Sequence, residues 1–500
     1  MHVKQGDLRD GIGAAFMLDE SRRTANVSAG VRAAIVAKKR RNGRGAKGRR
    51  EVEAVMDRES EGQPVAVPEE AKRAGEVRAC WAWTEPTVWT ERMLTALETG
   101  VKGGRWYSLM DKVHSLPNLL SAYQKVRANQ GAAGVDHQTI EMFEQHVIAN
   151  LRQLAQELRE GSYEPQAVRR HWIPKPGKRN EKRPLGIPTV RDRVVQGALC
   201  NVIEPIYEQD FADRSYGFRP GRSCKDALRR VVELLEGGYT QVVDADLKSY
   251  FDTIPQQQLL ERVRTKISDG KVIKLIDAFL KQGVLDEGKH WVPEQGTPQG
   301  GVLSPLLSNL YLDPFDHHMA DKGYEMIRYA DDFVILCRSE AEAQAALREV
   351  EQWTQAAGLT LHPEKTRIVD ATQPGGFDFL GYHFERGYRW PRKKSLEKLK
   401  ETMRQKTART NGQSLPKLIT SVNRTLVGWF EYFQHSHWTT FAPIDKWIRM
   451  RLRSILRRRS RRRGRGRGKD HQRWPNAYFA AHGLYSLTAA HAQVRQSSCR

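Results

Sequence analysis

Asp331 and Asp332 stand side by side in IRYADDFVIL (327–336), inside a run that otherwise favours β-strand. Arg328 is the sole Lys or Arg in that run. A strand, then Ala-Asp-Asp, then a second strand reads as a hairpin with carboxylates at its turn. Half-buried carboxylates need cations or hydrogen-bond donors, and two neighbouring ones repel. A divalent metal answers both needs, and an all-oxygen ligand set suits Mg²⁺. Taken alone, these ten residues also read as an ordinary acidic turn, because Asp is a common turn residue.

A second stretch shifts the balance. QVVDADLKSYFDTI (241–254) repeats the design of apolar strand, acid, then aromatics. Asp244 and Asp246 fall on one face at strand spacing. A second strand carrying an Asp could complete a metal site with Asp331. Phosphoryl transfer by two Mg²⁺ ions needs such a cluster, one ion activating the attacking hydroxyl and the other steadying the leaving phosphates.

With both stretches in hand, the chain resembles the group II intron-encoded reverse transcriptase/maturase family, of the bacterial type without an HNH endonuclease domain. Seven blocks stand in the family's order. They are IPKPGKRNEKRPLGIPTVRDRVVQGAL (173–199), DRSYGFRPGRSCKDAL (213–228), DLKSYFD (246–252), QGTPQGGVLSPLLSNLYLDPFD (295–316), YADD (329–332), GLTLHPEKTRIV (358–369) and FDFLGYHF (377–384). YADD by itself is a weak signal; the ordered set is strong, and the match runs over residues 105–500.

The resemblance implies roles residue by residue. Asp246, Asp331 and Asp332 match metal-ligating catalytic aspartates, with the backbone carbonyl of Leu247 as a further ligand. Asp244 and Asp252 read as structural. Phe251 matches the aromatic under the incoming sugar, where a ring would clash with a 2′-hydroxyl; core packing is the plain alternative. Lys175 and Arg183 match the triphosphate grip. The segment between them, with Lys178, Arg179 and Lys182, is longer and more basic than the family pattern and could share that work. Gln299 and Gly300 match the nucleotide pocket beside the templating base, ahead of a helix opened by Ser304 as cap and Pro305. Lys365 matches a lysine that protonates departing pyrophosphate. Arg219 and Arg222 touch template or serve structure.

These residues must be held by a fold. Strands and helices alternate irregularly from 105 to 390, which reads as α+β. The family implies a right-hand polymerase fold with fingers and palm over 105–390, then a helical thumb or maturase domain over 391–445. Leu151, Leu154 and Leu158 repeat at helical spacing and Gly161 follows as a stop. In the thumb, Trp429, Phe430, Tyr432, Phe433 and Trp438 are interleaved with basic residues, as in RNA-binding surfaces and equally as in cores. His435 and His437 read as structural. Residues 446–500 form a basic DNA/RNA-binding region, including Arg457, Arg458, Arg461 and Arg462. Residues 1–90, with AKKRRNGRGAKGRRE (37–51), read as a disordered basic extension.

Totals agree. The chain has 500 residues and a net charge of +23, which points to a polyanionic partner. No apolar run reaches membrane-helix length, and no secretory h-region opens the chain. Cys80, Cys200, Cys224, Cys337 and Cys499 form no CxxC pair, which fits a reducing compartment. The expected protein is therefore a soluble, cytoplasmic RNA-directed DNA polymerase, nucleoid-associated when it acts on DNA. Its expected partners are dNTPs, a parent intron RNA, a DNA target and a primer, with no membrane; the oligomeric state stays open, a dimer among the options. As a maturase it would promote splicing and support retrohoming. Without a paired-cysteine HNH pattern, priming is expected from elsewhere, such as a nascent strand at a replication fork. The rivals are another retroelement's reverse transcriptase (retron, diversity-generating or CRISPR-associated), a splicing-only maturase and a basic structural nucleic-acid binder.

Overall fold

A computed structural model describes residues 74–174, 181–462 and 468–498. Lys175, Lys178, Arg179, Cys499 and most of the N-terminal extension lie outside the described residues, as does the Gly/Arg stretch 463–467. The strands are β1 (Val168–Pro174), β2 (Lys182–Ile187), β3 (Gln241–Asp246), β4 (Val284–Asp286), β5 (Lys289–Trp291), β6 (Glu325–Tyr329), β7 (Asp332–Cys337), β8 (Arg367–Asp370), β9 (Phe377–Phe379), β10 (Tyr382–Glu385) and β11 (Tyr388–Pro391).

Three sheets form among the described residues. The palm sheet runs β6-β7-β3-β8 and is antiparallel throughout. Both its faces are covered, so its strands read as nearly continuous apolar runs. Val243, Ala245, Phe333, Ile335 and Cys337 enter the main core, beside the helices Ser304–Asp321 and Glu340–Ala356. Val242, Ile327, Val334 and Leu336 enter a second core with the helix Cys224–Glu236 and the small sheet β11-β10-β9. Each Val, Leu, Ile or Phe among them contributes about 1.5–3 kcal/mol by burial. Period-2 alternation puts Asp244, Asp246 and Asp332 on this second face, at the strand end. A one-residue slip would carry both apolar sets and the acids to the wrong sides.

The fingers sheet, β2-β1-β4-β5, is built on the β1–β2 hairpin, with β4 parallel to β1. The helix Val147–Glu160 buries Leu151, Leu154 and Leu158 and ends at Gly161 in the left-handed region, as its sequence predicts.

Three boundaries differ from the sequence reading. First, the described fold begins at Ala74, inside the segment expected to be disordered. Trp89 is fully buried, and its Nε1 donates to the Asn201 carbonyl at 2.9 Å. Long-range contacts such as this anchor the segment, and they leave no periodic trace. Second, the thumb and the C-terminal region share one core. Leu399, Leu418, Phe430, Ile448, Ile455 and Phe479 belong to a single cluster, and the helix Phe441–Arg459 crosses the expected boundary at 445/446. Asp445 accepts from the Leu487 and Thr488 N–H groups, each at 3.1 Å, capping the helix Leu487–Ser498 from outside. Third, Ser304 is not a cap. It is the first helical residue, and its hydroxyl donates to the Pro298 carbonyl at 2.7 Å, closing the TPQGG turn.

Candidate active site

The palm sheet carries the acids to one end. Asp246 closes β3 and is the direct partner of Asp332, the first residue of β7. Ala330 and Asp331 form the two-residue turn between β6 and β7. Ala330 has a φ of 59°, the left-handed region that suits such tight hairpins. What fixes this turn is Arg328. Its side chain is fully buried, and its Nε donates to Asp316 Oδ1 at 2.6 Å. Its Nη1 donates to Asn309 Oδ1 at 3.0 Å and to the Ala330 carbonyl at 2.8 Å. The one arginine among the carboxylates thus turns away from them and ties the turn to the helix Ser304–Asp321. Gly217 presses on the same turn: a Cβ there would lie 2.3 Å from the Ala330 nitrogen.

The acids are crowded, and burial holds three of them above the ordinary carboxylate range despite nearby cations. Burial, then the charges of Asp331, Asp244 and Asp246, push the Asp332 carboxyl up to about 7, against Arg392. Burial also raises Asp331, with Asp246 adding to it and Arg328 and Lys365 opposing. Asp244 is raised chiefly by burial and is countered by Arg367, whose Nη2 lies 3.3 Å from it. Lys365 pairs with Asp246. Among the described residues, no three His, Cys, Asp or Glu side chains converge into a ready cation cage. The donors nevertheless fit a hard divalent ion: all are oxygens, they repel one another, and Asp246 already holds a cation in the Lys365 ammonium. Leu247 bridges to Leu361. The flanking bonds run from Lys248 N–H to the Thr360 carbonyl and from His362 N–H to the Asp246 carbonyl, each at 2.8 Å, and neither uses Leu247's own carbonyl.

The remaining expected residues surround this end of the sheet or lie apart from it. Half-buried Phe251 packs edge-on to Tyr250, and its carbonyl accepts from Thr297 N–H at 2.7 Å. Gln299 Nε2 lies 3.3 Å from both oxygens of Asp252, so Asp252 positions Gln299. The Gln299 carbonyl accepts from Gly186 N–H at 2.6 Å, which docks the fingers strand β2, and with it exposed Arg183, on the TPQGG turn. Gly300, at φ 106°, makes that approach possible: a Cβ there would meet the Gly186 carbonyl at 2.3 Å. Arg219 is buried, ion-paired to Glu208 at 2.8 Å, and donates to the carbonyls of Ser215 and Phe211. Arg222 holds Asp213 at 3.0 Å. Arg457 pairs with buried Asp470, whereas Arg458, Arg461 and Arg462 are exposed. In the thumb, Phe430 and Phe433 are buried, and the Tyr432 hydroxyl donates to the Leu380 carbonyl at 2.6 Å.

A model of the reverse transcriptase (RNA-dependent DNA polymerase) family matches residues 173–384. One of the group II intron maturase-specific domain matches residues 396–474. Protein YkfC of Escherichia coli (strain K12) is 33% identical over 350 residues, 62% of this chain and 86% of that protein. The chain belongs to the group II intron reverse transcriptase/maturase family. Its enzyme class is RNA-directed DNA polymerase. Group II intron-encoded protein LtrA of Lactococcus lactis subsp. cremoris is 42% identical over 199 residues, 39% of this chain and 32% of LtrA. A solved partial Cas6-RT-Cas1--Cas2 complex overlaps 51% of this chain and 43% of its own at TM-score 0.33 and 26% identity.

Within this reverse transcriptase, sequence reasoning missed Arg328 with Asp316, and Gly217. Arg328 did carry a signal: an arginine inside an otherwise apolar strand needs a buried acid.

Proposed function

We propose that this chain extends a primer 3′-hydroxyl along an RNA template, with attack on the α-phosphate of a dNTP and departure of pyrophosphate. The observation that carries this reading is the register pair Asp246–Asp332 beside Asp331, held at one end of a largely apolar sheet. Asp246, Asp331 and Asp332, with the Leu247 carbonyl, would hold two Mg²⁺. When bound, these supply charge stabilisation at the reacting phosphate and a more acidic primer hydroxyl. The chain's own residues do the rest. Arg183, with Lys175, grips the triphosphate. Phe251 closes the space that a 2′-hydroxyl would need. Gln299, oriented by Asp252, and Gly300 shape the pocket beside the templating base. Lys365, released from Asp246, protonates the leaving pyrophosphate.

The second part of the reading is binding of a parent intron RNA through the basic thumb, so that the RNA folds and splices, together with a DNA target during retrohoming. The net charge of +23 and exposed Arg458, Arg461 and Arg462 support it. No helix among the described residues is long and apolar enough to cross a membrane.

The test is primer extension on an RNA template with dNTPs and Mg²⁺, comparing the parent with its Asp331→Ala/Asp332→Ala double variant. Extension by the parent and none by the variant is expected. A parent that binds RNA tightly yet extends nothing would instead favour a splicing-only maturase.

A further inference from the structure

Four aromatic rings join at the edge of the small sheet where the palm meets the thumb. Tyr388 and Trp390 lie on one face of β11, with ring centroids 5.9 Å apart. His437 packs against both, at 4.8 Å from Tyr388 and 5.6 Å from Trp390. Trp438 continues the chain of rings at 5.5 Å from His437. The two ends are open: Tyr388 is 55% and Trp438 60% exposed. A row of packed rings whose two ends stand open to water offers faces on which another ring can stack.

The support beneath them is stiff. Arg389 Nε donates to the His435 carbonyl at 2.8 Å, and His437 N–H donates to the Arg389 carbonyl at 2.7 Å. The His437 ring is oriented by Thr439 Oγ1 at 2.8 Å. These bonds stitch the loop 434–437 to β11 and hold the rings in place before any ligand arrives.

The surroundings are cationic. His435 is held below its ordinary value by burial and then by Arg389, Lys225, Arg229 and His491. Lys225 and Arg229 are exposed on the helix Cys224–Glu236, and exposed Arg386 sits on the β10–β11 turn. Glu236 is an acid within reach of Arg389. Open rings framed by Lys and Arg suit stacked bases with phosphates alongside. A duplex would not engage the rings, because its bases are already stacked on one another.

We infer that Tyr388 and Trp438, bridged by His437, form a stacking platform for unpaired RNA bases. None of these three residues is among those assigned above to polymerisation. The inference rests on the family reading, which makes RNA the polyanion in question. It goes further in naming the surface and in requiring single-stranded rather than duplex RNA.

The test uses the full chain and a labelled single-stranded RNA of about ten nucleotides, within the range such platforms cover. A blunt RNA duplex of the same length is the control, and binding is read by fluorescence anisotropy at several salt concentrations. In the Tyr388→Ala/Trp438→Ala variant, affinity for the single strand should fall about 10- to 100-fold. Duplex affinity and the salt slope should not move, since stacking releases no counterions. Tyr388→Phe/Trp438→Phe should bind like the parent. Primer extension by the alanine variant should match the parent, which keeps the platform separate from the polymerase reading. Unchanged single-strand binding would overturn the platform, as would an equal loss on the duplex, or lost extension.

Discussion

Lys365 and Asp246 are joined in an ion pair across the end of the palm sheet. The lysine is the more exposed partner, with 58% of its side chain in solvent against 28% for the aspartate. An exposed pair contributes little stability, so Lys365 can leave without harm to the fold. Any divalent ion must compete with it for the carboxylate. Lys365→Ala should therefore lower the Mg²⁺ concentration that gives half-maximal primer extension, while lowering kcat if Lys365 protonates pyrophosphate. A Mg²⁺ titration of both proteins reads the two effects separately. A higher Mg²⁺ requirement in the variant would show that Lys365 does not compete for Asp246.

Arg328 and Asp316 pose the opposite case, since both are closed to solvent. Breaking a buried pair leaves an uncompensated charge and costs about 3–5 kcal/mol. Arg328→Met should destabilise by that much in urea unfolding. Adding Asp316→Leu should restore most of the stability, because the orphaned charge is gone. It should not restore primer extension, because the Ala330 carbonyl and Asn309 still lack their donor. Recovery of activity in the double variant would refute a positioning role for Arg328.

Gly217→Ala tests the turn from its other side. The added methyl would overlap the Ala330 nitrogen and lie 2.9 Å from the Tyr329 carbonyl carbon, both backbone atoms. Something must shift, and the turn bearing Asp331 is what it meets. Displacements near 1 Å can cost about 100-fold in rate. The expected result is a fall in kcat of that order with little change in KM for dNTP, measured by steady-state extension. An unchanged kcat would mean that the turn tolerates the shift.

Phe251 is half-buried against Tyr250, so its ring has a fixed direction. If that ring excludes a 2′-hydroxyl, Phe251→Ala should narrow the preference for dNTP over rNTP by about 10- to 100-fold, the usual worth of one steric contact in a pocket. The readout is kcat/KM for each nucleotide on one template. A preference unmoved by the change would leave Phe251 as a core residue alone.

Much of this was legible because it is local. The apolar runs around Asp246 and Asp331 gave the strands, and the Leu151–Leu154–Leu158 spacing gave a helix. The paired acids stood out because they interrupt apolar strands that would otherwise be fully buried. What stayed hidden depends on contacts between distant segments. Nothing near Trp89 points to Asn201, and nothing near Gly217 points to Ala330. Asp445 caps a helix that starts 42 positions later. The arginines after 450 look alike in sequence, yet Arg453 is buried, donating to the Trp474 carbonyl at 2.8 Å, while Arg458 is exposed. Helical position decides which of them packs, and a run of one residue type carries no periodicity to show it.

Asp192 offers a pH test away from the catalytic end. It is buried near the start of the helix Val190–Glu208, where it accepts from the Tyr163 hydroxyl at 2.6 Å and from Gln282 Nε2 at 3.0 Å. Burial raises its carboxyl to about 6, more than those bonds pull it down. The folded state therefore holds this proton more tightly than the unfolded chain, whose Asp titrates near 3.9. Between these values the unfolded state binds fewer protons, so stability falls as pH rises from about 4 to about 6 and levels off above. The loss should be on the order of 3 kcal/mol. Asp192→Asn removes the titration while keeping an oxygen acceptor. Urea unfolding at pH 4.5 and 7.5 should show the stability difference moving in the variant's favour at the higher pH. Parallel pH curves for the two proteins would mean that the hydrogen bonds from Tyr163 and Gln282 outweigh burial, and that Asp192 is ionised in the folded chain across this range.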